Sequence, residues 1–271
     1  MIEKLIVGNK QFDLSSAIVM GILNVTPDSF SDGGRFDRIE RAVEHALRMQ
    51  DEGADIIDIG GESTRPGAAA ISEDEEIERV VPVIRTLRQQ SGIPISIDTS
   101  KAAVMRAAVE AGANMINDVN ALQAAGALEA CVELDTPVCL MHMQGQPRTM
   151  QQDPRYDDVV QDVAGYLRQR SRACLDAGIA RGNIVIDPGF GFGKTLQHNL
   201  DLLNALESIC ELELPVLVGI SRKSMLGAIV DRPVDERLYA GLAAAVIAYQ
   251  KGARLFRVHD VAPTRDALAV C

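Results

Sequence analysis

The sequence predicts an α/β fold, a (β/α)8 barrel of the TIM type with an N-terminal β-hairpin. Three observations carry this. Eight short apolar runs, mostly β-branched, recur along the 271 residues, helical patterns lie between them, and Pro, Gly or polar residues bound the runs. Alternating strands and helices with short connections imply parallel strands joined by right-handed crossovers. Eight such units suggest closure into a barrel, although pattern alone also fits an open doubly wound sheet. No linker or low-complexity tract marks a boundary, so residues 1–271 are expected to form one barrel domain, with 1–15 as the hairpin.

The elements follow in order. Residues 4–14 hold two short apolar stretches around Gly8 and Asn9, a hairpin pattern expected to cover the barrel bottom. The eight strand runs are 18–25, 56–61, 95–98, 115–119, 138–142, 184–187, 216–220 and 255–259. Pro94, Pro137 and Pro215 each stand just before a run, where a missing N–H costs the sheet least. Residues 38–52 place Ile39, Val43, Ala46, Leu47 and Met49 on one helical stripe. Ser72 followed by Glu75 reads as a capping box for a helix running to Gln90. Further helices are expected over 99–111, 154–177, 237–250 and 264–269, the first three closed by Gly112, Gly178 and Gly252. The acidic cluster 73–78 reads as a solvated helix face.

Composition narrows the function. A net charge of -11 argues against a nucleic-acid or membrane-surface role, so any anion site must be local. Residues 1–14 carry Glu3, Lys4, Asn9, Lys10 and Asp13, which does not read as a secretory leader. Apolar stretches such as 241–248 fall far short of the ~20 residues that span a bilayer. The five cysteines are odd in number, with no C-x-x-C pair, and read as free thiols in a reducing cytoplasm.

Polar and charged residues cluster where the apolar runs end. In a closed barrel those ends share one rim, where such enzymes place their active sites. Asp98, Asn117 and Asp187 end the third, fourth and sixth runs. Their oxygens suit an amino-pyrimidine edge that offers N–H donors, and they would stabilise a developing cation. Each taken alone could equally be a helix cap at a β-to-α turn. Arg222, Lys223, Arg257 and His259 end the seventh and eighth runs, the arc where barrels often bind phosphate. For Arg222 a surface salt bridge is the better reading, and His259 beside Asp260 could make a structural hydrogen bond. The glycines at 189–193 match no nucleotide loop, since Pro188 and Lys194 stand where Walker A and G-x-G-x-x-G require Gly. They are expected to let a mobile loop fold against the pocket. Ser63, Ser100 and Ser221 lack a G-x-S-x-G elbow, and no His pair has metal-ligand spacing.

Two segments carry a resemblance. Gly21-Ile-Leu-Asn-Val-Thr-Pro-Asp-Ser-Phe-Ser-Asp-Gly-Gly34 and Asp58-Ile-Gly-Gly-Glu-Ser-Thr-Arg-Pro-Gly67 resemble the signature segments of the dihydropteroate synthase family. Ser96-Ile-Asp-Thr-Ser100, Ile116-Asn-Asp-Val119, Asp187-Pro-Gly-Phe-Gly-Phe-Gly-Lys194, Ser221-Arg-Lys-Ser224 and Arg257-Val-His-Asp-Val261 support it, in order over about residues 18–261. The resemblance implies a folate-pathway transferase, commonly a homodimer, that joins 6-hydroxymethyl-7,8-dihydropterin pyrophosphate to p-aminobenzoate with Mg2+. It implies that Asp98, Asn117, Asp187 and Lys223 hold the pterin and that Arg257 stacks over its ring. Met141, Phe192, Ile22 and Val119 would wall the same pocket. Asn24 would help to hold Mg2+ and pyrophosphate, with Arg257 and His259 on the pyrophosphate. Thr64, Arg65, Pro66, Ser221 and Phe30 would form the p-aminobenzoate site, the target of sulfonamide mimics. Asp98, Lys223 and Arg257 would be catalytic. Gly33, Gly34 and Gly67 would free the loops after the first two strands to close over the reacting ion. A pterin-binding methyltransferase domain, or a silent pterin-binding protein, is the rival expectation.

Overall fold

Residue parity along each strand decides what faces the barrel interior and what faces the helices. The computed structural model describes residues 2–26, 35–63, 70–146 and 149–271, without the side chains of 35 and 36. Its strands are β1 (Lys4–Val7), β2 (Lys10–Asp13), β3 (Ile18–Asn24), β4 (Ile56–Gly60), β5 (Ile95–Asp98), β6 (Met115–Asp118), β7 (Val138–Met141), β8 (Ile184–Asp187), β9 (Leu217–Val218) and β10 (Leu255–Val258). The helices are α1 (Arg35–Asp51), α2 (Glu73–Gln90), α3 (Ala102–Ala111), α4 (Ala127–Leu134), α5 (Val159–Asp176), α6 (Leu196–Asn204), α7 (Leu206–Cys210), α8 (Ser224–Val230), α9 (Leu238–Gln250) and α10 (Val261–Ala269).

Among the described residues, eight parallel strands run in the order β8-β7-β6-β5-β4-β3-β10-β9. A parallel bridge between Ile186 and Val216, with the Ile186 N–H donating to Pro215 O at 2.9 Å, brings the two ends of that order together. The sheet is therefore a near-closed barrel. Side chains alternate across it. Ile57, Ile59, Ile95, Ile97, Ile116, Leu140, Ile186 and Phe256 pack outward against the helices in one cluster. Ile18, Met20, Ile56, Met115, Cys139, Val185, Leu217 and Leu255 form a second cluster inside the barrel. Two residues further along, the inward series turns polar: Asp58, Asp98, Asn117, Asp187 and Arg257.

The hairpin closes the lower end. β1 and β2 pair antiparallel, and Leu5, Val7, Phe12 and Leu14 join the interior cluster at the strand starts. Burying each contributes ~1.5–3 kcal/mol relative to leaving it in water. The turn needs Gly8, whose φ is +62°, and a Cβ there would stand 2.9 Å from the Asn114 side chain.

Several expected boundaries shift for identifiable reasons. α3 starts at Ala102, not 99, because Thr99 N extends the ladder to Asn117 O at 3.0 Å and Ser100 Oγ is held by Asp118. α5 starts at Val159, not 154, capped by Asp158, whose Oδ1 accepts from Val160 N and Gln161 N at 2.9 and 3.1 Å. α10 starts three residues before the expected Thr264, at Val261, with Pro263 tolerated in its first turn. Ser72 caps α2 by accepting from Glu75 N at 3.1 Å, while the Glu75 carboxylate pairs with Arg79 in place of the reciprocal bond. The sequence pattern does not mark helices α4, α6, α7 and α8. All five cysteines are free, with Cys131, Cys139 and Cys174 buried. No helix among the described residues is long and apolar enough to cross a membrane.

Candidate active site

The inward-facing polar residues converge on Arg257. One strand, β3, lies between β10 and β4, so two inter-strand spacings, ~10 Å, separate them, a span that an arginine can bridge. Arg257 Nε donates to Asp58 Oδ2 at 2.6 Å and Nη2 donates to Asp98 Oδ2 at 2.7 Å. From the other side, Asn117 Nδ2 donates to the same Asp58 oxygen at 3.2 Å. Strands β4, β5, β6 and β10 are thus tied through one buried hydrogen-bonded network. Asp58 Oδ1 and Ser96 Oγ are buried in it without a partner among the described residues.

Asp187 and Lys223 complete the charged set. Asp187 Oδ1 accepts from Gly189 N at 2.7 Å. Lys223 Nζ donates to Phe190 O and lies 4.4 Å from the centroid of the Phe192 ring. Burial raises Asp98 to about 7, against the pull of Arg257 and with a push from Asp58, Glu76 and Asp118. Burial also raises Asp187, opposed by Lys223 and the Gly189 N–H. Lys223 is pushed down by burial to about 8, against the attraction of Asp187. Burial pulls on Arg257 too, yet Asp58 and Asp98 outweigh it and hold the guanidinium above its ordinary range.

Ile22, Val119 and Met141 are buried, and Phe192 is half-buried beneath Lys223. Gly60 leaves the gap between Asp98 and Asn24 open: a Cβ there would stand 3.7 Å from Asp98 Oδ2 and 3.9 Å from Asn24 Oδ1. Ser221 Oγ meets His259 at 3.2 Å from its backbone N and 3.1 Å from Nδ1. Arg222 lies in the left-handed region at φ +58° and pairs with Asp260 at 2.5 Å, the salt bridge expected of it. Phe30, Thr64, Arg65 and Pro66, with Gly33, Gly34 and Gly67, lie outside the described residues.

Three features escape a reading of the sequence. Asp58 anchors Arg257, and its only signal is its inward parity two residues before Gly60. Lys194 is buried in the turn after β8; it closes a segment that carries the resemblance, yet nothing in the pattern assigns it a role. Glu76 is the third, and it corrects the reading of 73–78 as a solvated face. It is 0% exposed, and Lys101 Nζ donates to it and to Glu62, each at 2.5 Å. Glu62 Oε1 also accepts from Ile71 N at 3.2 Å, and Arg79 Nη1 donates to Gly61 O at 2.8 Å. These contacts fasten the chain leaving β4 to α2. The glycines after β8 differ from expectation as well. Gly189 and Gly193 lie directly against the main chain of His142 and Gln144, where a Cβ at either would clash. They make a tight, well-bonded turn packed against the chain after β7.

Comparison with known proteins identifies the family. A family model described as pterin binding enzyme matches residues 20–259. The dihydropteroate synthase of Haemophilus influenzae is 55% identical over 267 residues, covering 98% of this chain and 97% of its own. A Yersinia pestis dihydropteroate synthase structure with a sulfonamide drug complex superposes with TM-score 0.94 at 51% identity, covering 98% of this chain and 97% of that one. The Xanthomonas albilineans enzyme with 4-aminobenzoic acid superposes with TM-score 0.94 at 51% identity, covering 100% and 97%.

Proposed function

The chain belongs to the dihydropteroate synthase family of pterin-binding enzymes, and on that premise we propose how its own residues carry out the reaction. The enzyme condenses 6-hydroxymethyl-7,8-dihydropterin pyrophosphate with p-aminobenzoate, giving 7,8-dihydropteroate and pyrophosphate. One observation carries the assignment of residues: the Arg257–Asp58–Asp98–Asn117 network occupies the same end of the barrel as Asp187 and Lys223.

The pterin offers N–H donors along its amino-pyrimidine edge. Asp98, Asn117 and Asp187 accept them, and Lys223 donates to the ring carbonyl side. Met141, Phe192, Ile22 and Val119 wall the ring. Arg257 has five N–H donors, of which two bonds hold Asp58 and Asp98. Its remaining donors and its face serve the pterin ring and, with His259, the pyrophosphate. Thr64, Arg65, Pro66, Ser221 and Phe30 receive p-aminobenzoate, which sulfonamides would mimic.

The aromatic amine is a weak nucleophile, so departure of pyrophosphate leads. The methylene C–O bond breaks, its electron pair leaves with the pyrophosphate oxygen, and positive charge spreads into the pterin. Asp58, Asp98 and Asp187 place carboxylates beside Arg257 and Lys223 in the described interior, and a carboxylate facing the pterin stabilises this cation. The amine nitrogen then forms the C–N bond and releases one proton to water.

The Asn24 amide oxygen is a suitable ligand for Mg2+, a hard cation that keeps several waters and takes phosphate oxygens. When bound, Mg2+ neutralises charge on the leaving pyrophosphate.

The apolar Ile229, Val230, Val234, Tyr239 and Ile247 are exposed on and between α8 and α9, which supports a homodimer formed through this face. Free cysteines support a cytoplasmic location. The test is Mg2+-dependent pyrophosphate release on mixing both substrates. Release that vanishes in Lys223→Ala and Asp98→Ala is expected. Undiminished release in a folded variant overturns that residue's role, and no release from the parent protein overturns the activity.

A further inference from the structure

The reaction above makes no use of one buried cation beside it. Lys194 is 3% exposed, and no carboxylate lies in contact with its Nζ among the described residues; burial pulls the group well below the ordinary lysine range, against the attraction of Asp187. Nζ instead meets His142 Nδ1 at 2.8 Å, Gly189 O at 2.9 Å, Phe192 O at 3.1 Å and His142 O at 3.5 Å. An ammonium taken out of water is costly unless hydrogen bonds replace its hydration. Here carbonyl oxygens and a ring nitrogen do so. Burial and the neighbouring Lys194 hold His142 down at about 3, so the imidazole is neutral and Nδ1 serves as acceptor.

The knot joins two segments that abut without clearance. Gly189, Gly191 and Gly193 all have positive φ, at +68°, +78° and +62°. Other side chains hold the rest of the turn: Gly191 N donates to Asn199 Oδ1 and Tyr156 OH donates to Gly193 O, both at 2.7 Å. The far side of the same turn presents the Phe190 carbonyl and the Phe192 ring, and these two groups hold the Lys223 ammonium. The carbonyl of Phe192 is bound by Lys194 while its ring lies under Lys223. One residue therefore links the two lysines.

We propose that Lys194 is a positioning residue for Lys223: its ammonium ties the 189–194 turn to His142 and thereby sets the carbonyl and ring that fix Lys223 in the pterin site. The functional consequence rests on the reading of Lys223 as a pterin-binding group. Lys194→Met keeps the side-chain length and removes the donors. Its KM for the pterin pyrophosphate should rise about ten- to a hundredfold, since misplacement by ~1 Å can cost that much. Its KM for p-aminobenzoate should stay within about twofold.

His142→Ala should act in the same direction more weakly and keeps the chain testable if Lys194→Met does not fold. His142→Gln, whose amide oxygen can accept from Lys194, should restore most of the loss. Calorimetric titration with 6-hydroxymethylpterin, a probe lacking pyrophosphate, separates the possible failures. A parent protein that does not bind it overturns the site reading and this inference together. A parent that binds it, with His142→Ala and any folded Lys194→Met binding equally tightly and keeping their pterin KM, overturns the inference alone. Equal loss of both KM values, without rescue by Gln, assigns Lys194 to general stability and also overturns it.

Discussion

Replacing Asp98 with Asn should stabilise the protein at alkaline pH while disabling it. Asp98 is buried, and burial carries its carboxyl from the usual 3.8 to about 7 in spite of the bond to Arg257. At ~1.4 kcal/mol per pH unit, that difference is on the order of 4 kcal/mol. The folded protein keeps this proton between about pH 4 and 7, where the unfolded chain has lost it. Stability must therefore fall as pH climbs through that window, and the full cost is present above about 7. Asn carries no such proton, and its Oδ1 can still accept from Arg257 Nη2. Parent and variant should unfold alike near pH 4, and by pH 8 the variant should be the more stable by on the order of 4 kcal/mol. Because the chain has no Trp, far-UV circular dichroism in urea is the suitable assay. Turnover should meanwhile fall by ~100-fold or more, as when a preorganised charge is removed. A stability difference that shrinks or reverses as pH rises would refute the reasoning, since the Arg257 ion pair would then outweigh the cost of burial.

Three further outcomes follow from the same geometry. If Asp98 must be ionised and Lys223 protonated, kcat/KM for the pterin substrate should rise toward pH 7 and fall above about 8, a narrow bell whose limbs belong to the coupled set. A rate still climbing at pH 9 would contradict it. Glu76→Ala leaves the Lys101 ammonium with Glu62 alone and should cost ~3–5 kcal/mol in chemical denaturation; a loss near zero would show that Glu76 is not tied in. Gly189→Ala adds a Cβ against His142 O at φ +68° and should cost on the order of 3 kcal/mol, whereas a variant of parental stability would contradict the tight turn.

Much of the fold and the candidate site can be read from the sequence because both depend on short-range pattern. The runs at 95–98 and 184–187 coincide with β5 and β8, since alternation and the preceding or following polar residue mark both ends. Asp98, Asn117, Asp187 and Arg257 are recognisable because each is a polar interruption at the inward parity of an apolar run. What stays hidden depends on contacts between distant segments. Glu76 looks like its acidic neighbours until Lys101, 25 residues away, is brought against it. Thr99 and Ser100 have the composition of helix caps, yet the ladder and Asp118 claim them first. Asp58 is unremarkable until its oxygen is found shared by Asn117 and Arg257, 59 and 199 residues away. Lys194 carries no local pattern, because its partners are mostly main-chain carbonyls.

Among the described residues, the hairpin plugs the lower end of the barrel and leaves the opposite rim as the way in. Whatever enters must leave by the way it came. A pterin seated at the depth of Asn117 would then have p-aminobenzoate above it, and an early arrival of the second molecule would obstruct the first. On the proposed placement of the two substrates, traffic through that doorway would impose an order of entry that no individual side chain has to encode.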